Sequence, residues 1–111
     1  MRTSYFSKSG SHPEAVSIAA KAPVGYKGRE YKRLAPKYWF FKKYKEDGDK
    51  EFYTIQYRKE VLDQLDAKQV LSDLGEDAVL LCWEGPSKFC HRRLVAEWLQ
   101  EKLEITIQEI L

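Results

Sequence analysis

A chain of 111 residues is long enough for one domain with a real core and too short for two. Its 43% apolar and 14% aromatic content exclude general disorder, and no apolar run approaches the roughly 20 residues of a membrane span. The formal charge of +2 hides a split, because residues 21–50 carry ten Lys/Arg against four acids and residues 51–111 carry seven against twelve.

The opening stretch MRTSYFSKSG lacks the apolar core of a secretory signal, and two cysteines are too few for a disulfide scaffold. A cytoplasmic location with no membrane partner is the expectation by elimination. Residues 2–6, RTSYF, are short and aromatic and predict a first strand. The polar stretch 7–14 reads as a turn or loop, and AVSIAA at 15–20 alternates as a second strand. Pro23, Gly25 and Gly28 then break regular structure, so 21–35 reads as a long loop of the kind that is functional or mobile.

Pro36 suits the first turn of a helix over 36–46, closed by Asp47-Gly48-Asp49. A longer helix follows over 51–65, with Tyr53, Tyr57, Val61 and Leu65 at successive i+4 steps. Asp66 to Gln69 fits a capping box opening a short helix, and Gly75 suits its end. The continuous apolar run AVLLCWE at 78–84 predicts a strand covered on both faces. Ser87 is placed to cap a helix reaching Leu103, whose apolar stripe is Leu94, Val95, Trp98, Leu99 and Leu103. ITIQEI at 105–110 closes the chain as an alternating strand.

These elements predict one α/β domain over 1–111, a three-layer sheet of about four mainly parallel strands with helices on both faces. The unit 78–110 is expected to be parallel. The eight-residue link between strands one and two is short for a crossover, so either a helical turn near His12-Pro13-Glu14 serves or the sheet is mixed.

Ligands of open α/β sheets bind beyond the carboxyl ends of the strands. Cys82 and Glu84 lie at such an end. Cys90, His91 and Arg92 open the next helix, where free N–H groups and the helix dipole favour anions. Tyr5, Phe6 and Lys21 follow strands one and two and reach the same rim if those strands are parallel. Cys90 is the candidate nucleophile, with Glu84 or His91 moving protons; the plain alternative is a small buried residue. Cys82 at the end of an apolar strand reads as core. Arg92, Ser87, Lys21, Tyr5 and Cys82 are the candidate anion and ligand contacts, and the plain alternative for Arg92 is an ion pair with Glu84.

A Cys82–Cys90 disulfide is geometrically possible but opposed by a reducing cytosol. Zinc on Cys82, Cys90, His91 and Glu84 has suitable ligand types, yet the spacing lacks a paired C-x-x-C, and adjacent Cys90 and His91 rarely face one metal. No metal and no cofactor are therefore expected. The C-x5-R loop of cysteine phosphatases is missed, because Lys88 stands at the arginine position.

With Cys82-Trp83-Glu84 and Cys90-His91-Arg92, the chain resembles the large prokaryotic family called domain of unknown function 488 (DUF488). Members of that family carry C-x-E at a strand end and then C-H-R opening a helix. TSYF, VSIAAKAP, GYKGREYKRLAP and YRKEVLDQLD are similar to a compact, phage-like branch of it. The resemblance implies a Rossmann-like α/β fold and one site shared by these residues and the edge of strand two. Relatives commonly carry an arginine just after strand two; Ala20 and Lys21 stand there, so any role of that position falls to Lys21. No activity is implied.

Three functions are compatible with these residues. A phosphorylated small molecule or nucleotide is bound or processed at the strand-end pocket; or Cys90 serves a cysteine-dependent enzyme; or the basic segment 21–50 binds nucleic acid. The oligomeric state is not written in the sequence.

Overall fold

The apolar run forms β4 (Val79–Cys82), buried at all four positions, as a strand covered on both faces must be. This computed structural model describes residues 1–85 and 88–110. On either side of β4 lie β1 (Arg2–Tyr5) and β2 (Ala15–Ser17). Beyond them lie β5 (Gln108–Glu109) and β3 (Arg29–Glu30), giving the order β3-β2-β4-β1-β5. Every pairing is parallel. The sheet is therefore not mixed, and it has five strands where the sequence suggests four. The fifth is β3, inside the stretch read as loop, where two exposed charged residues extend beside β2.

The link between β1 and β2 is short because it never spans a full helix layer. A single turn, α1 (Phe6–Ser9), is followed by backbone bonds from His12 N to Ser9 O and from Ala15 N to His12 O, which fold the chain tightly back. The link crosses only β4 on its way to β2.

The two faces are unequal. On one, Val16, Ile18 and Leu80 meet the side chains of α2 (Tyr38–Asp47), α3 (Lys50–Glu60), α4 (Ala67–Leu74) and α5 (His91–Leu103) in one continuous core. On the other, Ala15, Ala19, Val79 and Leu81 are covered by Phe6 of α1, with Tyr26 and Ala22 from the loop. Helices thus flank both faces, one of them, among the described residues, through α1 alone.

The helix ends follow local chemistry. Asp49 accepts from Phe52 N at 3.0 Å and starts α3, and Gly48 takes the left-handed conformation that ends α2. Asp66 caps α4 by accepting from Lys68 N at 2.9 Å. The reciprocal half of the expected capping box is absent, because Gln69 turns down the helix and donates to Asp73. The predicted cap Ser87 lies outside the described residues; Cys90, in extended backbone, is the residue at which α5 begins. No helix among the described residues is long and apolar enough to cross a membrane.

Candidate functional site

Cys82 stands two residues after Leu80 on β4, so its side chain points to the helical face at the carboxyl end of the central strand. Cys90 and His91 approach the same point from the start of α5. The Sγ atoms of Cys82 and Cys90 and a ring nitrogen of His91 all lie within 4.8 Å of one another, and all three residues are buried. The two sulfurs are joined as a disulfide, with Cα atoms 7.1 Å apart, beyond the usual 4.4–6.8 Å span of such links. Among the described residues no cysteine is free.

The neighbours in sequence share a focus because Cys90 is extended (φ −153°, ψ 150°) and His91 already helical. That change of backbone swings both donors to one side, and His91 Nδ1 lies 3.6 Å from Cys90 Sγ. The other ring nitrogen, Nε2, is 2.7 Å from the Ile18 carbonyl oxygen just past β2. A carbonyl can only accept, so Nε2 carries the proton and Nδ1 presents a lone pair. Burial pushes the imidazole down to about 4, with the Arg92 charge adding to it and the Ile18 bond opposing, so the ring is neutral near pH 7.

Arg92 is fully buried and all five of its N–H groups have acceptors. Nε and Nη2 grip the Glu109 carboxylate at 2.9 and 3.0 Å, Nη1 donates to Cys82 Sγ at 3.0 Å and to the Glu84 carbonyl at 2.7 Å, and Nη2 reaches the Gly85 carbonyl at 3.1 Å. In this arrangement it has no donor left for an external anion. Its carboxylate partner is Glu109, not Glu84, whose side chain instead lies 3.8 Å from Lys45 Nζ. Tyr5 pairs across from Cys82 in register, and the Arg92 guanidinium sits 6.0 Å from its ring centre.

A cavity of about 140 Å³ opens at this cluster, lined by the buried Cys82 and His91 and by Glu84, Lys21, Lys45, Phe41 and Trp83. Trp83 Nε1 donates to the Lys21 carbonyl at 2.8 Å, fixing that rim. The crevice that reaches Cys90 holds only about 20 Å³, room for no more than a water, whereas Cys82 lines the larger cavity. The strand-end cluster of Cys82, Glu84, Cys90 and His91 thus converges, with Lys21 at its rim, whereas Ser87 lies outside the described residues.

Sequence reasoning missed Lys45, Trp83 and Glu109. Lys45 and Trp83 left a faint signal, as a basic helix face and an aromatic inside C-x-E; Glu109 read as an ordinary polar position of an alternating strand. In the basic segment, Lys32, Lys37, Lys43 and Lys45 each lie within 4.0 Å of a carboxylate. Trp39 and Tyr38 are exposed, while Phe40 is fully buried.

No curated protein and no solved structure matches the chain. A family model described as the active DUF488-N3 subclade matches residues 11–103, and by that match the chain belongs to the DUF488 family.

Proposed function

We propose that the protein binds or processes a small phosphorylated molecule in the cavity at Cys82. The observation that supports this reading is the cavity itself, which is lined by Lys21 and Lys45 together with Glu84, Cys82 and His91. A phosphate between the two lysines gains charge-assisted hydrogen bonds, while Phe41 and Trp83 offer apolar walls to its substituent. Lys21 and Lys45 take the anion-holding part that Arg92, enclosed by its five acceptors, leaves open; Lys45 lies 3.8 Å from the Glu84 carboxylate, so a phosphate has to displace that contact. At about 140 Å³ the cavity is below the roughly 300 Å³ of typical ligand sites, which favours a phosphate-bearing head group over a whole enclosed nucleotide.

Titration calorimetry with inorganic phosphate and with a nucleoside monophosphate tests this. Saturable binding that weakens at least tenfold in both Lys21→Ala and Lys45→Ala is the expected result. Binding unchanged in both variants overturns it. Equal affinity for any oligonucleotide, with a steep salt dependence, favours the nucleic-acid reading of segment 21–50 instead.

A second reading, a cysteine-dependent enzyme, is favoured by the Arg92 Nη1 contact to Cys82 Sγ, which stabilises a thiolate once the pair is reduced. In this reading Cys82, which lines the cavity, is the attacking sulfur in place of the Cys90 expected from the sequence, and Cys90 is its partner; both are buried. Alkylation of the reduced protein across pH, mapped residue by residue, is expected to modify Cys82 first and below the ordinary thiol range. Preferential modification of Cys90 overturns that order.

A further inference from the structure

We infer that, in the reduced protein, Cys82, Cys90 and His91 form a binding site for a thiophilic divalent cation of the zinc class, with its fourth position open to the cavity. The inference goes beyond the phosphate reading and does not depend on what the lysines hold.

Four observations carry it. With the disulfide closed, the three donor atoms lie within 4.8 Å of one another, buried, at the end of β4 and the start of α5, and reduction lets the sulfurs part to take up a shared metal. A tetrahedral zinc with Zn–S of about 2.3 Å and Zn–N of about 2.0–2.1 Å places sulfur and nitrogen about 3.6 Å apart. The Cys90 Sγ to His91 Nδ1 distance is 3.6 Å.

The histidine is also prepared in the way metal-binding histidines are. Its Nε2–H is held by the Ile18 carbonyl, which fixes the tautomer and leaves an Nδ1 lone pair on the atom nearest Cys90 Sγ. The backbone spacing points the same way, since Cα atoms 7.1 Å apart suit two sulfurs facing a shared atom better than a direct link.

The electrostatics permit a cation despite the nearby guanidinium. Arg92 donates to Cys82 Sγ, which favours the thiolate, and its own charge is matched by Glu109 in a two-point ion pair. Two thiolates then balance a divalent metal. Three protein ligands with a fourth position facing a cavity is the pattern of catalytic rather than structural zinc. The sequence objection that Cys90 and His91 are adjacent falls away, because the extended-to-helical change between them brings both donors to one side.

Loading requires reduction of the disulfide, and a phosphine is the reductant for the test. It takes an oxygen from water to become the phosphine oxide and delivers two electrons, which with two protons leave two thiols. Metal binding then releases the thiol protons. The full chain, phosphine-reduced and metal-free, is titrated with cobalt(II) as the spectroscopic probe and then with zinc.

The expected result is one equivalent of cobalt with thiolate charge-transfer and intense tetrahedral visible bands, displaced by one equivalent of zinc. Cys82→Ser and Cys90→Ser weaken the charge-transfer band, His91→Gln lowers affinity at least tenfold, and His12→Ala leaves the spectrum unchanged. Where a variant does not fold, thiol counting on the native protein decides. One zinc should protect both cysteines from a thiol-specific reagent. Weak octahedral bands, unprotected thiols, or bands untouched in the folded cysteine variants overturn the site. None of these readouts involves phosphate, so failure of the phosphate reading leaves this result interpretable.

Discussion

Arg92 and Glu109 form a two-point ion pair that ties the first turn of α5 to the last strand, with Nε–Oε1 at 2.9 Å and Nη2–Oε2 at 3.0 Å. Thr3 Oγ1 donates to the same Oε1 at 2.9 Å, so the carboxylate also gathers β1 into the arrangement. The guanidinium is fully buried, and among the described residues its partner is the one formal charge that compensates it at close range. Removing one member of a buried pair leaves an uncompensated charge, so Glu109→Gln is expected to cost about 3 kcal/mol, measured by urea unfolding. Because Arg92 also positions Cys82, the same variant should alter the rate of Cys82 alkylation in the reduced protein.

The pH dependence of that pair has a definite sign. Burial by itself raises the Glu109 carboxyl, but hydrogen bonds from Arg92 and Thr3 and the charges of Arg92 and Arg93 outweigh it, leaving it below its ordinary 4.5. A folded-state value below the unfolded one gives stability that is present above 4.5 and lost as pH falls through the folded value. Urea midpoints should therefore fall as acid is added below about pH 4.5. The decline should be shallower in Glu109→Gln; an identical decline in both proteins would show that other carboxylates account for it.

Trp83 holds the cavity rim by donating its indole N–H to the Lys21 carbonyl while its ring packs edge-on to Phe6, 5.4 Å between centres. Trp83→Phe keeps an aromatic there and deletes one neutral hydrogen bond, about 1 kcal/mol. If phosphate binds between Lys21 and Lys45, this variant should weaken phosphate several-fold while leaving the cobalt spectrum of the reduced protein unchanged.

The strand-end cluster was legible because it follows from two strong local signals. The run AVLLCWE marks a central strand by its unbroken hydrophobicity, and the stripe Leu94, Val95, Trp98 and Leu99 marks the helix packed on it. Together these bring Cys82 and Cys90 to one place. What the sequence withheld depends on long-range pairing. Arg29–Glu30 has no apolar residue to announce a strand and becomes β3 only through backbone bonds to β2. Glu109 meets Arg92 only because β5 pairs with β1 rather than with β4, a choice of neighbour that periodicity does not encode. Arg92 looked available to an anion for the same reason: its acceptors are mostly backbone carbonyls and a distant carboxylate.

Tyr57 anchors the basic loop from behind the site. Its hydroxyl donates to the Leu34 carbonyl at 2.5 Å in a fully buried setting, and its ring lies 5.5 Å from that of His91. Tyr57→Phe leaves that carbonyl without its partner, so a loss of about 1–3 kcal/mol is expected in urea unfolding. Since the ring remains against His91, cobalt binding by the reduced protein should persist.

Tyr31, beside β3, donates to Asp73 Oδ2 of α4 at 2.6 Å and so pins the loop from its other side. Burial first, and then the hydrogen bond and charge of Asp73, push the Tyr31 hydroxyl up to about 12. A folded-state value above the unfolded 10.0 gives stability that is complete below that pH and lost as pH rises toward 12. The protein is therefore expected to lose stability over this alkaline range, with a smaller slope in Tyr31→Phe. Tyr53 and Tyr57, both also raised by burial, should sustain the remaining slope. Unfolding midpoints at pH 9, 10 and 11 for the two proteins, on the order of one-unit steps across the window, provide the check. Parallel curves would mean that the Tyr31–Asp73 contact does not persist in solution.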